Sequence, residues 1–244
     1  MSPTMPTLIT VTLAATLYSL WIRRSSWLSR WEAGASLSVA LQGCAVLLMS
    51  PWAATTFGPH LYRVFGLWNL QHLLGHICLI LAATAIIYHV LARLADGSLV
   101  TGIFGRHIAA PLDLGVPLLV AVFIVADEEY HADLFPAHVD TIWLGAYWLV
   151  LGGLLIYLLS YAGRVLFIMR EDSRSKATAN VYLIAIALGV AANAMQMTTA
   201  WAGVDITLPI WLCICLGAIG FAYAAARSWR ARINWFNPGS SPVG

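Results

Sequence analysis

Charged residues are scarce in this chain. They make up 10% of its 244 residues, whereas a soluble domain carries about 25%. Hydrophobic residues make up 60% and the mean hydropathy is +0.79, which is typical of a protein that crosses a membrane several times. The formal net charge of +2 is too small to indicate nucleic-acid binding. At about 20 apolar residues per span, the length allows around seven spans and no separate soluble domain.

Lysine and the common hydrolase motifs are also missing. The only lysine is Lys176, in a predicted loop. A light-driven retinal protein needs a lysine in its last span to form the Schiff base, so retinal is excluded as a cofactor. The chain has no phosphate-binding glycine loop, no GxSxG and no HExxH sequence, so membrane hydrolases are disfavoured. We therefore expect a binding protein rather than an enzyme.

Seven apolar runs predict an all-α, polytopic membrane protein. The transmembrane domain is expected to occupy residues 1–232, followed by a cytoplasmic tail at 233–244. The first run has no basic segment before it and no A-x-A cleavage site, so we interpret it as a retained span. The seven transmembrane helices are predicted at about residues 6–22, 34–52, 68–92, 109–126, 141–169, 178–201 and 210–226.

Basic residues lie almost entirely on one side of the predicted spans. Of the 13 Lys and Arg residues, only Arg63 lies in a connector on the opposite side. Cytoplasmic loops of membrane proteins are enriched in these residues. The pattern therefore predicts an N-terminus outside, a C-terminus in the cytoplasm and a multi-pass location in the plasma membrane.

The third predicted span carries polar side chains in its outer part. Asn69, His72 and His76 fall within about 60° of one another on a helical wheel, and the histidines lie about 6 and 12 Å deep. On the sixth span, Gln196 and Asn193 lie about 7 and 12 Å below the same surface. Polar groups inside a membrane are costly, so the matched depths predict an outward-opening ligand pocket. Interhelical hydrogen bonding is the alternative interpretation.

The histidines also indicate a candidate metal site. Histidines four residues apart on a helix can present both imidazoles to one ion, and zinc takes three or four ligands. His131 and His138, in the acidic loop after the fourth span, could complete a zinc or copper site with His72 and His76. Haem is disfavoured because its two ligands must come from different elements, and no other span has a central histidine.

Asp113 is the only carboxylate predicted inside a span. It lies near the cytoplasmic end of the fourth span, and Arg164 of the fifth span is a candidate partner at similar depth. We expect either an ion pair that fixes the packing there or a gate for protons or ions.

The segment NLQHLLGHICLILAAT, at residues 69–84, carries a resemblance. With the seven predicted spans, it resembles actinobacterial and mycobacteriophage integral membrane proteins that are described as transporters. The resemblance implies a seven-span membrane fold and a role in transport, and it assigns no site residues.

These observations together favour a non-enzymatic plasma-membrane protein. We expect it to bind a small ligand or a protein partner in sensing, transport or phage–host interference. The alternative is a metal- or haem-binding membrane oxidoreductase or assembly factor with an outward-facing histidine site. The expected partners are the lipid bilayer and either another membrane protein or a second copy of the chain.

Overall fold

The computed structural model describes residues 4–29, 32–126, 129–135, 141–202 and 204–236. Across these ranges the chain contains no β-strand, which confirms the all-α prediction. The described residues form nine α-helices: α1 (Thr4–Ile22), α2 (Ala33–Leu48), α3 (Pro51–Phe65), α4 (Leu70–Leu94), α5 (Gly97–Phe104), α6 (Ala110–Ala126), α7 (Ile142–Met169), α8 (Lys176–Ala202) and α9 (Thr207–Phe236).

Most of these helices are long and apolar enough to cross a bilayer, as a multi-pass membrane protein requires. A further crossing is present if α2 and α3, which meet at an angle of 79°, act as one broken span. The chain therefore has six or seven candidate crossings. The six continuous candidates are Thr4–Ile22, Leu70–Leu94, Gly97–Ala126, Ile142–Met169, Lys176–Thr199 and Thr207–Ile233.

The break between α2 and α3 has a local cause. Ser50 caps α3, since its hydroxyl oxygen accepts a hydrogen bond from the Ala53 backbone N–H at 3.2 Å. Pro51 occupies the first position of α3, where its missing N–H costs nothing. The predicted second span therefore ends earlier than residue 52, and the connector expected after it is mostly helical. With 16 residues, α2 is about 24 Å long, short of the bilayer core of about 30 Å.

The connector expected before the fourth span is also largely helical. α5 continues through a π-helical turn, Gly105–Ala109, into α6. Together they form an apolar stretch of 30 residues, about 45 Å long at 1.5 Å per residue. Arg106 and His107 interrupt the apolar pattern, so this segment was predicted as a connector. In the structure both residues lie in the π-helical turn with their side chains exposed, and the helix continues through them.

Five helices form a closed ring. α2 packs against α4, α4 against α7, α7 against α8, α8 against α9, and α9 against α2. Outside the ring, α1 packs against α2 and α9, while α6 packs against α7. Small residues allow close approach in such bundles: a Cβ atom on Gly43 of α2 would lie 2.6 Å from Cγ2 of Thr16 on α1. The ring encloses the candidate site.

Candidate functional site

A cavity of about 90 Å³ lies inside the ring. All five ring helices line it, together with Phe135 from the loop before α7. Most of its wall is apolar, with side chains such as Leu79, Leu155 and Ile214. The side chains with polar atoms are few: Gln42, His76, Trp148, Asn193 and Gln196.

His76 is buried in the aromatic part of this wall. Its Nδ1 lies 2.6 Å from the hydroxyl oxygen of Tyr147 on α7, a hydrogen-bond distance. Its ring also lies edge-on to that of Trp148, with the ring centroids 5.5 Å apart. These contacts join α4 to α7 and fix the orientation of the imidazole.

Residues 129–135, which we call the lid segment, contribute Phe135 to the cavity wall. The Phe135 ring stacks on Trp148 with centroids 5.9 Å apart and meets Trp211 edge-on at 5.4 Å. The backbone oxygen of Phe135 accepts a hydrogen bond from Nε2 of Gln196 at 3.4 Å. The lid segment is thus anchored to α7, α8 and α9 through one side chain and its backbone.

Asp133 provides a second anchor for the lid segment. One carboxylate oxygen accepts from Nε1 of Trp211 at 3.0 Å, and the other accepts from the backbone N–H of Phe135 at 3.0 Å. Burial raises the pKa of Asp133, and the nearby carboxylate of Asp205 adds to this effect. The hydrogen bonds from Phe135 and Trp211 oppose the rise. Asp133 therefore lies in a polar contact that is largely removed from water.

Asn69 holds the other end of the lid segment. Its Nδ2 donates to the backbone oxygen of Glu129 at 2.6 Å, and its Oδ1 accepts from the backbone N–H of His131 at 2.8 Å. Asn69 has a φ of 55°, in the left-handed region that asparagine tolerates better than most residues. This backbone conformation begins α4 directly beneath the lid segment.

Two buried polar atoms on residues that line the cavity have no hydrogen-bond partner within the part of the chain that the structure describes. They are Oε1 of Gln196, an acceptor, and Nε1 of Trp148, a donor. An unpaired buried polar group costs about 1–3 kcal/mol. A molecule in the cavity that both donates and accepts a hydrogen bond would remove this cost.

The structure brings together part of the predicted ligand site. His76, Asn193 and Gln196 line one cavity. His72 is buried near the lid segment but does not line the cavity, and Asn69 binds the lid segment instead. Phe135, which was not among the predicted residues, also lines the cavity. Binding of a ligand by these residues stays a prediction.

The predicted metal ligands are not assembled. Among the residues that the structure describes, no three His, Cys, Asp or Glu side chains are grouped closely enough to hold an ion. His131 is in the lid segment, where its backbone N–H bonds to Asn69. His138 lies outside the described residues. His72 and His76 both lie on α4, but a third ligand does not join them within the described ranges.

The predicted pair of Asp113 and Arg164 is not formed. Both side chains are exposed, and none of the ion pairs within the described ranges joins them. Those ion pairs all include Glu32, which sequence reasoning did not select. One signal in the sequence could have identified Glu32. It is a carboxylate at the start of an apolar run, and arginines lie at the ends of other runs on the same predicted side.

Glu32 binds three arginines at the end of the bundle opposite to the lid segment. Its carboxylate oxygens lie 3.0 Å from Arg23, 2.6 Å from Arg93 and 2.8 Å from Arg232. Burial tends to raise the pKa of this carboxyl, but Arg93, His89 and Arg23 together lower it to about 2. Glu32 is therefore ionised and joins the ends of α1, α4 and α9.

Comparison of the chain with protein-family models, curated proteins and solved structures gives no match.

Proposed function

We propose that this chain is a non-enzymatic integral protein of the plasma membrane that binds a small, mostly apolar molecule with one polar end. The observation that carries this proposal is the cavity inside the ring, whose wall includes a donor on Trp148 and an acceptor on Gln196 that are unpaired among the described residues. Ligand sites are typically apolar with a few convergent polar groups. Sensing and transport both begin with such a binding step.

The volume of the cavity limits the size of the ligand. An engineered apolar cavity of about 150 Å³ takes benzene, so a cavity of about 90 Å³ suits a smaller molecule. A larger ligand would require Phe135 to leave its position against Trp148. The lid segment would then act as the entrance, and its opening would be the step that sensing or transport exploits.

The described part of the cavity wall favours binding over catalysis. Its polar groups are amides, an indole and an imidazole, and no carboxylate lies among them. His76 already makes a hydrogen bond to Tyr147, which fits a structural or ligand-orienting role. These groups suit recognition of a neutral molecule.

The cluster at Glu32 supports a seven-crossing topology with the N-terminus outside. The last residues of α1 and α4 both approach Glu32, so the chain returns to the same end of the bundle between them. α4 makes one of the two crossings that this return requires, and α2 with α3 makes the other. The excess of arginines at this end favours the cytoplasmic side.

Binding is tested with 2,2,2-trifluoroethanol, which is smaller than benzene and has an apolar trifluoromethyl group and a hydroxyl group that both donates and accepts. Fluorine NMR on the purified protein in detergent micelles should show a bound signal distinct from that of trifluoroethanol dissolved in the micelle. 1,1,1-Trifluoropropane has a methyl group in place of the hydroxyl and should bind about tenfold more weakly, since each of the two hydrogen bonds contributes about 0.5–1.5 kcal/mol.

A pair of neighbouring substitutions provides the control. Ala192→Leu fills the cavity, because Ala192 lines it and is buried. Ala191→Leu adds the same side chain at an exposed position of the same helix. The bound signal should persist in Ala191→Leu and disappear in Ala192→Leu. Equal signals in both variants would mean that the probe binds elsewhere, and the proposed site would be wrong.

A further inference from the structure

An open cleft of about 500 Å³ lies at the end of the bundle where Glu32 is found. It is bounded by the last turns of α4, α7 and α9 and by the first turns of α8. Arginine side chains from three of these regions line it: Arg93, Arg174 and Arg232. Sequence analysis did not single out this cleft, and it is separate from the cavity under the lid segment.

The positive charge at the cleft exceeds the negative charge. Three arginines (Arg23, Arg93 and Arg232) share the single carboxylate of Glu32, which leaves two positive charges. Arg174 at the rim adds a third, and Asp172 offsets it. The net charge of these six groups is therefore +2, and an anion in the cleft would compensate it.

The geometry of Arg93 and Arg232 allows them to bind an anion while they hold Glu32. One guanidinium nitrogen of each contacts Glu32, yet their side chains are 30% and 39% exposed. A guanidinium group has five N–H donors in a planar fork that suits phosphate oxygens. Arg23, in contrast, is fully buried and donates to Ser36 and the backbone oxygen of Ala225 as well as to Glu32.

Neutral groups complete the lining of the cleft. Hydroxyl groups come from Thr178 and Ser228, and a hydroxyl can donate to a phosphate oxygen. Ser175 also lines the cleft, but its hydroxyl donates to Asp172. Leu166 and Met169 supply an apolar wall on α7. An anionic lipid has a charged headgroup beside acyl chains, so this combination of walls suits it.

We propose that this cleft binds a phosphate-bearing anion, with the headgroup of an anionic phospholipid as the favoured source. Basic pockets between transmembrane helices on the cytoplasmic side bind such headgroups, and the charge pattern predicts that this end faces the cytoplasm. Two of the arginines that line the cleft also hold Glu32, so the ligand connects to the cluster that joins α1, α4 and α9.

The proposal is tested by titrating the purified protein in detergent with phosphatidylglycerol, phosphatidylcholine or inorganic phosphate and measuring the melting temperature. A ligand that binds the folded state and not the unfolded state raises this temperature, and the rise grows with the logarithm of its concentration above the Kd. Phosphatidylglycerol should raise it and phosphatidylcholine should not. If inorganic phosphate at matched ionic strength raises it equally, the source is a soluble phosphate compound rather than a lipid.

Arg174→Gln removes one charge from the rim without disturbing Glu32. About fivefold more phosphatidylglycerol should then be needed for the same stabilisation, which is the contribution of one basic residue to binding an anionic lipid. Arg170→Gln is the matched control, because Arg170 is exposed in the same connector but does not line the cleft. The proposal is overturned if phosphatidylglycerol has no effect, or if Arg170→Gln weakens its effect as much as Arg174→Gln.

Discussion

Nη2 of Arg23 lies 3.0 Å from Oε2 of Glu32, and both side chains are withdrawn from solvent. The same nitrogen also donates to the backbone oxygen of Glu32, and Nε donates to Ser36. A buried charge without a partner is strongly unfavourable. Removal of Glu32 would therefore leave Arg23 buried without a negative partner, whereas Glu32 keeps Arg93 and Arg232 if Arg23 is removed.

Glu32→Gln should lower the free energy of unfolding by about 3–5 kcal/mol, the usual cost of removing one partner of a buried ion pair. Unfolding of the purified protein in mixed micelles of increasing denaturing detergent measures this change. Glu171→Gln is the control, because Glu171 is exposed in the connector before α8. Equal losses in the two variants would show that the Glu32 cluster is not a source of stability.

Stability should fall in acid because of the same carboxyl. Its folded-state pKa is about 2, against an ordinary value of 4.5. A lowered pKa gives stability that is complete above the ordinary value and is lost as the pH falls from 4.5 towards 2. The melting temperature of the wild type should therefore fall more steeply over this range than that of Glu32→Gln. The raised pKa of Asp133 makes the opposite contribution, since it favours the folded state in acid. This contribution is present in both proteins and does not affect the comparison.

Gly43→Ala should destabilise the contact between α1 and α2. The new Cβ would lie 2.6 Å from Cγ2 of Thr16, and Thr16 is fixed because its hydroxyl donates to the backbone oxygen of Thr12. Overpacking of this kind costs about 1–3 kcal/mol. Thr16→Ser removes the clashing methyl group and keeps the hydroxyl, so it should restore most of the loss in the double variant.

Gly153→Ala is the control for this pair. A Cβ on Gly153 meets no atom within 4 Å, and replacement of a mid-helix glycine by alanine typically gains about 0.5–1 kcal/mol. The same detergent unfolding measurement applies to all four variants. Additive losses for Gly43→Ala and Thr16→Ser, without any rescue, would rule out the close contact.

Asn69→Ala and Asn69→Gly should both release the lid segment. Each removes the side chain that bonds to Glu129 and His131, so amide hydrogen exchange across residues 129–135 should become faster. Only Asn69→Ala must also hold an ordinary side chain at a φ of 55°, which costs about 1–2 kcal/mol. Asn69→Ala should therefore be the less stable variant, with equal exchange in the lid segment. Unchanged exchange in both would exclude Asn69 as its anchor.

The predicted topology can be tested with alkaline phosphatase, which folds only outside the cytoplasm. A fusion after Gly244 should be inactive, and a fusion after Asp205, between α8 and α9, should be active. We expect this pattern because nearly all Lys and Arg residues lie on one side of the predicted spans, and cytoplasmic loops are enriched in these residues. The opposite pattern would reverse the orientation, and the cleft with Arg174 would then face outward.

The sequence allowed prediction of the spans because a bilayer requires about 20 consecutive apolar residues. It could not show the bend after α2, since the apolar run continues to Trp52 while the break depends on the cap at Ser50. It also concealed the helical nature of residues 97–109, where Arg106 and His107 interrupt the apolar pattern. Local polar contacts decide these boundaries, and hydropathy does not register them.

Part of the cavity was also predictable, because the rise of 1.5 Å per residue fixes depth along a helix. Depth matched His76 with Asn193 and His72 with Gln196, and His76, Asn193 and Gln196 line one cavity in the structure. The lid segment was beyond prediction, because a loop has no periodicity from which to infer that Phe135 packs on Trp148. The burial of Glu32 depends on helix neighbours that a single sequence does not identify.

The partners of Glu32 are also widely separated in the order of synthesis. Arg23 is only nine residues away, so the first connector can neutralise its own buried charge as soon as it leaves the ribosome. Arg232 and the backbone oxygen of Ala225, which binds Arg23, become available only when α9 has been made. During membrane insertion the cluster therefore stays incomplete until α9 arrives. Since α9 also closes the ring, a nascent chain that stops short of it leaves these early polar groups without their full set of partners.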